Sequence, residues 1–569
     1  MRRPRRFILL LLAVVLALWW LLPDGGPRVA PGTTLKLQLS GGYVEASEPS
    51  LLARLLGDAR IPFASLLSEL RKAERDERIA VVLLRVRPLQ IGWAKAQELR
   101  DAIQSLSAAG KRTVAFVELA SFGANLEYYV ASAADEVVLS PATRAPLVGL
   151  AAEFFFLGGL WEKLGVELEV ERIGDYKSAA DFIAGREMSE AHREMANALL
   201  DSIDAQFVAG IAEGRDLTPA FVRGAIEQAP FTPDDLRSMG LVDDVLHYDE
   251  LLAQVGEPVI EAGEYAAVDP SEVGFTPVTQ FALVYGSGNV VEGDRAASPG
   301  GGEVLAGDRV SRALVEAAED PEISAIIFRI DSPGGSALAS DQVWRGVQRA
   351  RGLGKPVVAS FSDVAASGGY YVACGADAIV AMPGSVTGSI GVVVLRPVLS
   401  GLLDKLDIGF ASLMRGPRSD LLLSTRRLSP ASRELLRNEM ASIYELFLER
   451  VADGRELERD AVDAAGQGRV YTGEQALELG LIDGLGGLRE AVRIAKERLE
   501  LEPDDDVSLV PYPRPQSVAD QVSEALGRLA LVSARGPALS AVERRLEEWL
   551  MSVGETGPLL LPPFLAEIR

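Results

Sequence analysis

The chain has 569 residues, more than one ordinary core accommodates, and its composition (48% hydrophobic, 24% charged) is that of globular domains. A net charge of −24 at pH 7 argues against a nucleic-acid partner, which needs a basic face to displace counterions. Cys374 is the only cysteine, which excludes an intrachain disulfide and cysteine-based zinc sites, and the carboxylates fall into no metal-ligand spacing.

The N-terminus reads "MRRPRR" followed by "FILLLLAVVLALWWLL", an uncharged apolar run from Phe7 to Leu22. At about 1.5 Å per residue this run spans roughly 24 Å, slightly less than the roughly 30 Å hydrocarbon core. Basic residues before an apolar run keep the N-terminus cytoplasmic and export the chain beyond it. "RVA" ends at Ala30 but Pro31 comes next, so the segment reads as an uncleaved single-pass transmembrane anchor rather than a cleaved signal peptide.

Downstream, the chain contains itself twice. "IAVVLLRVRPLQ" from Ile79 matches "ISAIIFRIDSPGG" from Ile323, and "GKRTVAF" at Gly110 matches "GKPVVAS" at Gly354, both with a shift of 244. "YYVASAADEVVLSP" from Tyr128 matches "YYVACGADAIVAMP" from Tyr370 with a shift of 242, and "GLVDDV" at Gly240 matches "GLIDGL" at Gly480 with a shift of 240. Within each copy, β-branched runs such as "AIIFRI" and "PVVASF" read as buried strands. "SDQVWRGVQRARG" reads as an amphipathic helix between them, and Ser189–Gly214 and Ser429–Gly454 as matching long helices. The class is α/β with a largely parallel sheet. The chain divides into a basic tip and anchor at 1–30, a first repeat at 31–255, a linker at 256–280 and a second repeat at 281–500. Residues 501–569 are a Pro-rich linker and an amphipathic helix without an assigned role.

The copies disagree where chemistry would sit. "SDVAASGGYYVACGAD" places Ser367 before a glycine pair, the setting of a nucleophile on a tight turn. The first copy has Asn125, Leu126 and Glu127 opposite Ser367, Gly368 and Gly369, and Gln90 and Ile91 opposite Gly334 and Gly335. Conversely "GDYKSAADF" of the first copy carries Lys177, which falls opposite Ser419. One copy holds a candidate base and the other a candidate nucleophile, so a complete site needs both, and we expect them to meet within one chain. His192 and His247, the only histidines, lie in the first copy and away from the serine motif; they read as structural or surface residues. A lysine amine is a base only when neutral. Lowering its pKa from about 10.4 to about 7–8 costs about 4 kcal/mol, which burial away from carboxylates supplies. Backbone N–H groups at Gly335 and Gly368 suit a tetrahedral oxyanion, because glycine lets a substrate carbonyl approach the main chain.

Together "DSPGGS", "ASGGYYVACGAD", "TGSIGV" and "GDYKSA" resemble the signal peptide peptidase A family of the long, duplicated bacterial type, from the anchor to about residue 500. The resemblance implies two tandem Clp-protease/crotonase-like repeats after the transmembrane helix. It implies Ser367 as nucleophile, Lys177 as general base, and Ser389 as the residue that orients the lysine amine. It further implies a protease of the bacterial cytoplasmic membrane facing the exported side and degrading remnant signal peptides and similar hydrophobic peptides, as a homotetramer, with no cofactor and no metal. The same superfold also binds acyl-CoA thioesters or persists as a scaffold. A non-proteolytic acyl-binding or scaffold protein is therefore the alternative, and it leaves the Ser367/Lys177 pairing unexplained.

Other motifs read more simply. Tyr370 and Tyr371 recur as Tyr128 and Tyr129 and are packing residues, and Cys374, opposite Ser132, is a small buried residue. "GSGNVVEG" from Gly286 has Val291 at the third-glycine position of a dinucleotide loop and no P-loop occurs, so no cofactor is expected.

Overall fold

The computed structural model describes residues 27–45, 61–119, 123–143, 147–229, 232–295, 303–514 and 559–560. The apolar run at 7–22 and the amphipathic tail helix expected beyond residue 540 lie outside these. Among the described residues no helix is long and apolar enough to cross a membrane.

The first repeat builds a six-stranded, all-parallel sheet from β1 (Thr33–Gly41), β2 (Ile79–Leu89), β3 (Arg112–Val117), β4 (Glu136–Leu139), β6 (Asp244–Val245) and β7 (Val259–Glu261). β5 (Glu167–Ile173) leaves this sheet. The order is β6-β4-β3-β2-β1-β7. In the second repeat the equivalents are β8 (Pro277–Ser287), β11 (Ile323–Ser332), β13 (Val357–Ala366), β14 (Ala378–Ala381), β18 (Gly484–Leu485) and β19 (Asp506–Tyr512). Their pairings give β18-β14-β13-β11-β8-β19, the same order, with β15 (Val386–Gly388) and β17 (Val470–Thr472) branching from β13. The sequence repeat is thus a repeat of topology. Ala325–Phe328 of β11 and Val357–Ala359 of β13 are unbroken apolar runs because helices cover both faces of the sheet.

The long helices start where the Ser189 and Ser429 hydroxyls accept from the N–H groups of His192 and Ser432, and run Glu190–Gly214 and Pro430–Arg455. β7 and β19 carry each sheet beyond residues 255 and 500. Both are edge strands marked by proline, Pro258 just before β7 and Pro511 within β19. The tyrosine hydroxyls also repeat: Tyr128 donates to Leu241 O at 2.6 Å and Tyr370 to Leu481 O at 2.8 Å. Cys374 is buried, its Sγ 3.2 Å from Tyr371 O.

A third sheet joins the repeats. Its order is β10 (Val304–Ala306), β9 (Asn289–Val291), β12 (Gly335–Ser336), β20 (Leu559–Leu560), β16 (Val392–Val398) and β5. β5 and β16 pair antiparallel over their full length, from Glu167 opposite Val398 to Ile173 opposite Val392. Buried Glu169 and Glu171 on β5 fix this pairing through Arg396 at 2.7 Å, Arg433 at 2.6 Å and Arg437 at 2.7 Å.

A second lock is a buried charge cluster. Arg329 on β11 reaches Glu98 at 2.7 Å and Glu45 at 3.1 Å, both in the first repeat. Lys95 of the first repeat reaches Asp331 at 2.5 Å, Asp363 at 2.9 Å and Glu45 at 3.1 Å. Burial opposes the Lys95 charge, but Asp331, Asp363 and Glu45 outweigh it and hold the pKa well above the ordinary lysine value. Asp363 also accepts the N–H groups of Gly92 (3.0 Å) and Lys95 (2.9 Å) at the start of the helix Trp93–Ala108.

Candidate active site

Strand β13 ends at Ala366, and the chain turns at once into the short helix Gly368–Tyr371. Between them Ser367 has φ +56° and ψ −116°, a conformation sparsely populated for a side chain with a Cβ. Its N–H donates to Gly388 O at 2.7 Å, tying the turn to β15. The glycines after it stand where a side chain has little room. A Cβ on Gly369 would lie 2.4 Å from Ser332 O, and one on Gly368 would lie 2.7 Å from Ser340 Oγ and 3.1 Å from Gly335 N. Gly335 itself has φ +152° and abuts Val290 O at 2.1 Å from its would-be Cβ. The main chains at Gly335 and Gly368 therefore sit side by side next to Ser367.

Lys177 arrives from the other repeat. β5 ends at Ile173, four residues before Lys177; β16 begins at Val392, three residues after Ser389; and Ile173 pairs with Val392. The inter-repeat ladder thus delivers the lysine beside Ser389. Lys177 Nζ lies 2.7 Å from Ser367 Oγ, 2.9 Å from Ser389 Oγ and 2.8 Å from Ser389 O. Lys177, Ser367 and Ser389 each have 0% exposure. All three partners of the amine are uncharged oxygens, and burial lowers its pKa well below 10.5. A neutral amine has two N–H donors and one lone pair. Ser389 O and Oγ take the donors, which leaves the lone pair for the Ser367 hydroxyl proton.

All five candidate residues converge here. His192 does not present itself to solvent: it is buried, its ring 5.0 Å from Phe182 and 5.2 Å from Phe154. Two features of the site escaped the sequence reading. The loop Gln467–Arg469 of the second repeat packs directly on Lys177, and the charge cluster around Lys95 and Arg329 lies under the strands that carry the glycine turns. The first has a trace in the sequence, since "GQGR" at 466–469 stands opposite "IEQA" at 226–229.

The sequence matches the model of peptidase family S49 twice, over residues 106–260 and 349–502, more than half of the chain. The chain belongs to peptidase family S49. It is 34% identical over 512 residues to the chloroplastic serine protease SPPA of Arabidopsis thaliana, covering 88% of this chain and 74% of that one. It is 28% identical over 530 residues to Protease 4 of Salmonella typhi, covering 87% and 83% respectively. Among solved structures, ClpP1 of Listeria monocytogenes overlays 37% of this chain and 94% of its own at 12% identity and a TM-score of 0.24, too slight to add to the strand order itself. This S49 chain is a serine protease; the acyl-binding and scaffold alternatives fall away.

Proposed function

We propose that this S49 protein is a membrane-anchored endopeptidase that works through a Ser/Lys dyad split between its repeats, with Ser367 as nucleophile and Lys177 as general base. The observation that carries this is the 2.7 Å approach of a buried amine, surrounded by uncharged oxygens, to Ser367 Oγ. Ser367 Oγ attacks the scissile carbonyl as its proton passes to Lys177 Nζ. The carbonyl becomes an oxyanion facing the N–H groups of Gly335 and Gly368. The ammonium, held by Ser389, then returns the proton to the leaving amine as the C–N bond breaks. Water, deprotonated by the same amine, releases the acyl group and regenerates the serine.

The strand slot beside this centre suits an extended peptide. Leu559–Leu560 lies there antiparallel to Gly335–Ser336 on one side and to Val393 on the other. Residues 7–22 would hold the protein in the bacterial cytoplasmic membrane with both repeats on the exported side. Hydrophobic remnant signal peptides would then be the substrates within reach. Each repeat would be a Clp-protease/crotonase-like unit.

A homotetrameric ring is consistent with the same duplication. The counterparts of β5 and β16 are residues 409–415 and 150–156, and no described strand includes either segment. They expose Phe410 (48%), Leu413 (90%) and Phe155 (70%). Pairing 409–415 of one chain with 150–156 of the next would repeat the β5–β16 junction between molecules, a head-to-tail contact that closes into a ring.

Fluorophosphonate labelling of detergent-solubilised protein across pH 6–10 tests the dyad. The amine accepts a proton only above its own pKa. Labelling should therefore rise with pH through that lowered value and level off below 10.5. Ser367→Ala should abolish labelling and Lys177→Ala should slow it by about 10²–10⁴-fold. Unchanged neutral-pH labelling of Lys177→Ala would refute the mechanism.

A further inference from the structure

The loop Gln467–Arg469 touches both segments that define the amine's surroundings. Gln467 O accepts from Tyr176 N at 2.9 Å, Gly468 N donates to Ile390 O at 2.8 Å, and Arg469 O accepts from Ser389 N at 2.6 Å. Gly468, at φ +77°, sits where a Cβ would lie 2.5 Å from Lys177 N and 2.6 Å from its Cα and Cβ. These atoms belong to the main chain and the root of the side chain, so they cannot swing aside. Two further glycines make the approach mutual. A Cβ on Gly174 would lie 2.3 Å from Gln467 C, and one on Gly391 would lie 3.0 Å from Gly468 Cα. Three main chains, one from the first repeat and two from the second, are packed at glycine distance around one lysine.

The repeat comparison points the same way. With the shift of 240 that relates Gly240 to Gly480, Gly468 stands opposite Gln228 and Arg469 opposite Ala229. The first copy, whose partner loop has Ser419 in place of a lysine, lacks the glycine that would admit one. In the second copy Arg469 adds a clasp, its guanidinium 4.8 Å from the Tyr176 ring and 2.9 Å from Glu194.

We infer that Gly468 is a positioning residue for the reaction: it sets the depth of Lys177 between the repeats, and so both the reach of the amine to Ser367 and its exclusion from water. The inference rests on the Ser/Lys reading above. A Cβ at 468 would push the lysine main chain outward. A misplacement of about 1 Å costs up to about a hundredfold in rate. An amine moved toward water also regains its charge more readily, so its pKa rises.

The test is fluorophosphonate labelling of the full chain from pH 6 to 10, with kcat and KM on an apolar peptide and the melting temperature measured in parallel. Gly468→Ala should label about tenfold to a hundredfold more slowly, with its pH midpoint moved upward and KM unchanged. Gly352→Ala is the control, because nothing lies within 4 Å of its would-be Cβ; it should label like wild type at an unmoved midpoint. Wild-type rate and midpoint in Gly468→Ala would overturn the inference, as would an equal midpoint shift in Gly352→Ala. If Gly468→Ala melts early, Arg469→Met decides: an upward midpoint supports the inference and an unmoved one overturns it. If Lys177→Ala labels like wild type, the Ser/Lys reading itself has failed, a result distinct from any of these.

Discussion

At the end of its third strand the second repeat presents Ser367 at φ +56°, with Gly368 and Gly369 behind it. At the same place the first repeat starts an ordinary helix, Asn125–Ala131. There Asn125 accepts from Val148 N at 3.0 Å and donates to Gly149 O at 2.9 Å, while Glu127 accepts from Leu89 N at 2.8 Å. Leu147 stands where the second repeat has Ser389. The side chains of the first repeat have closed that cleft with hydrogen bonds of their own. The space has become structure, and under the dyad proposed above the repeat contributes to the chemistry from its far loop instead, at Lys177. A duplicated fold can thus divide one site between its halves, provided that the junction between them is rigid.

The largest effect that would break this comparison concerns the rigid junction. Arg329 and Arg85 occupy equivalent positions. Arg85 pairs with Glu118 at 2.6 Å with a side chain 24% exposed, whereas the Arg329 side chain is 1% exposed and pairs with Glu45 and Glu98 across the junction. Arg329→Met leaves buried Glu98 without its cation and Glu45 with Lys95 alone, and should destabilise the protein by about 3–5 kcal/mol. Arg85→Met should cost about 0–1 kcal/mol. Thermal melting of both variants checks this. Similar losses would mean that the repeat junction is not specially held by its buried charges.

A smaller effect concerns the second hydroxyl. Ser389→Ala removes the Oγ partner of Lys177 but keeps the backbone oxygen at 2.8 Å. A neutral hydrogen bond contributes about 0.5–1.5 kcal/mol, so labelling should slow by about tenfold or less. Lost labelling would show that Ser389 does more than orient the amine, and an unchanged rate would show that it does nothing.

Much of this was legible because the chain carries its own comparison. The repeat and its largely parallel α/β class followed from β-branched runs at matching shifts, and the Ser367–Lys177 pairing from which copy lacks which residue. What stayed hidden depends on contacts between copies. Arg329 in "IIFRIDS" and Lys95 in "GWAKAQ" look like ordinary charged residues at surface positions, and only the packing of one repeat on the other buries them. Gly468 is one of 55 glycines, and its role depends on a main chain that arrives from nearly three hundred residues upstream. Local periodicity records which face of an element is buried but not by what.

The smallest expected effect is none, and it sharpens the comparison most. In a Ser367→Ala background, Asn125→Ser, Leu126→Gly and Glu127→Gly restore the serine and both glycines to the first repeat. Labelling should stay absent. The restored serine would have no amine to face, because the equivalent of the lysine loop carries Ser419, whose Oγ is 3.0 Å from Gly416 O at the start of the short helical turn Ser419–Leu422. Gln90 and Ile91 in place of Gly334 and Gly335 would also keep a substrate carbonyl from approaching the main chain there. Labelling at the restored serine would mean that another base can reach it. The division of labour between repeats would then be a matter of one side chain rather than of the junction that brings two halves together.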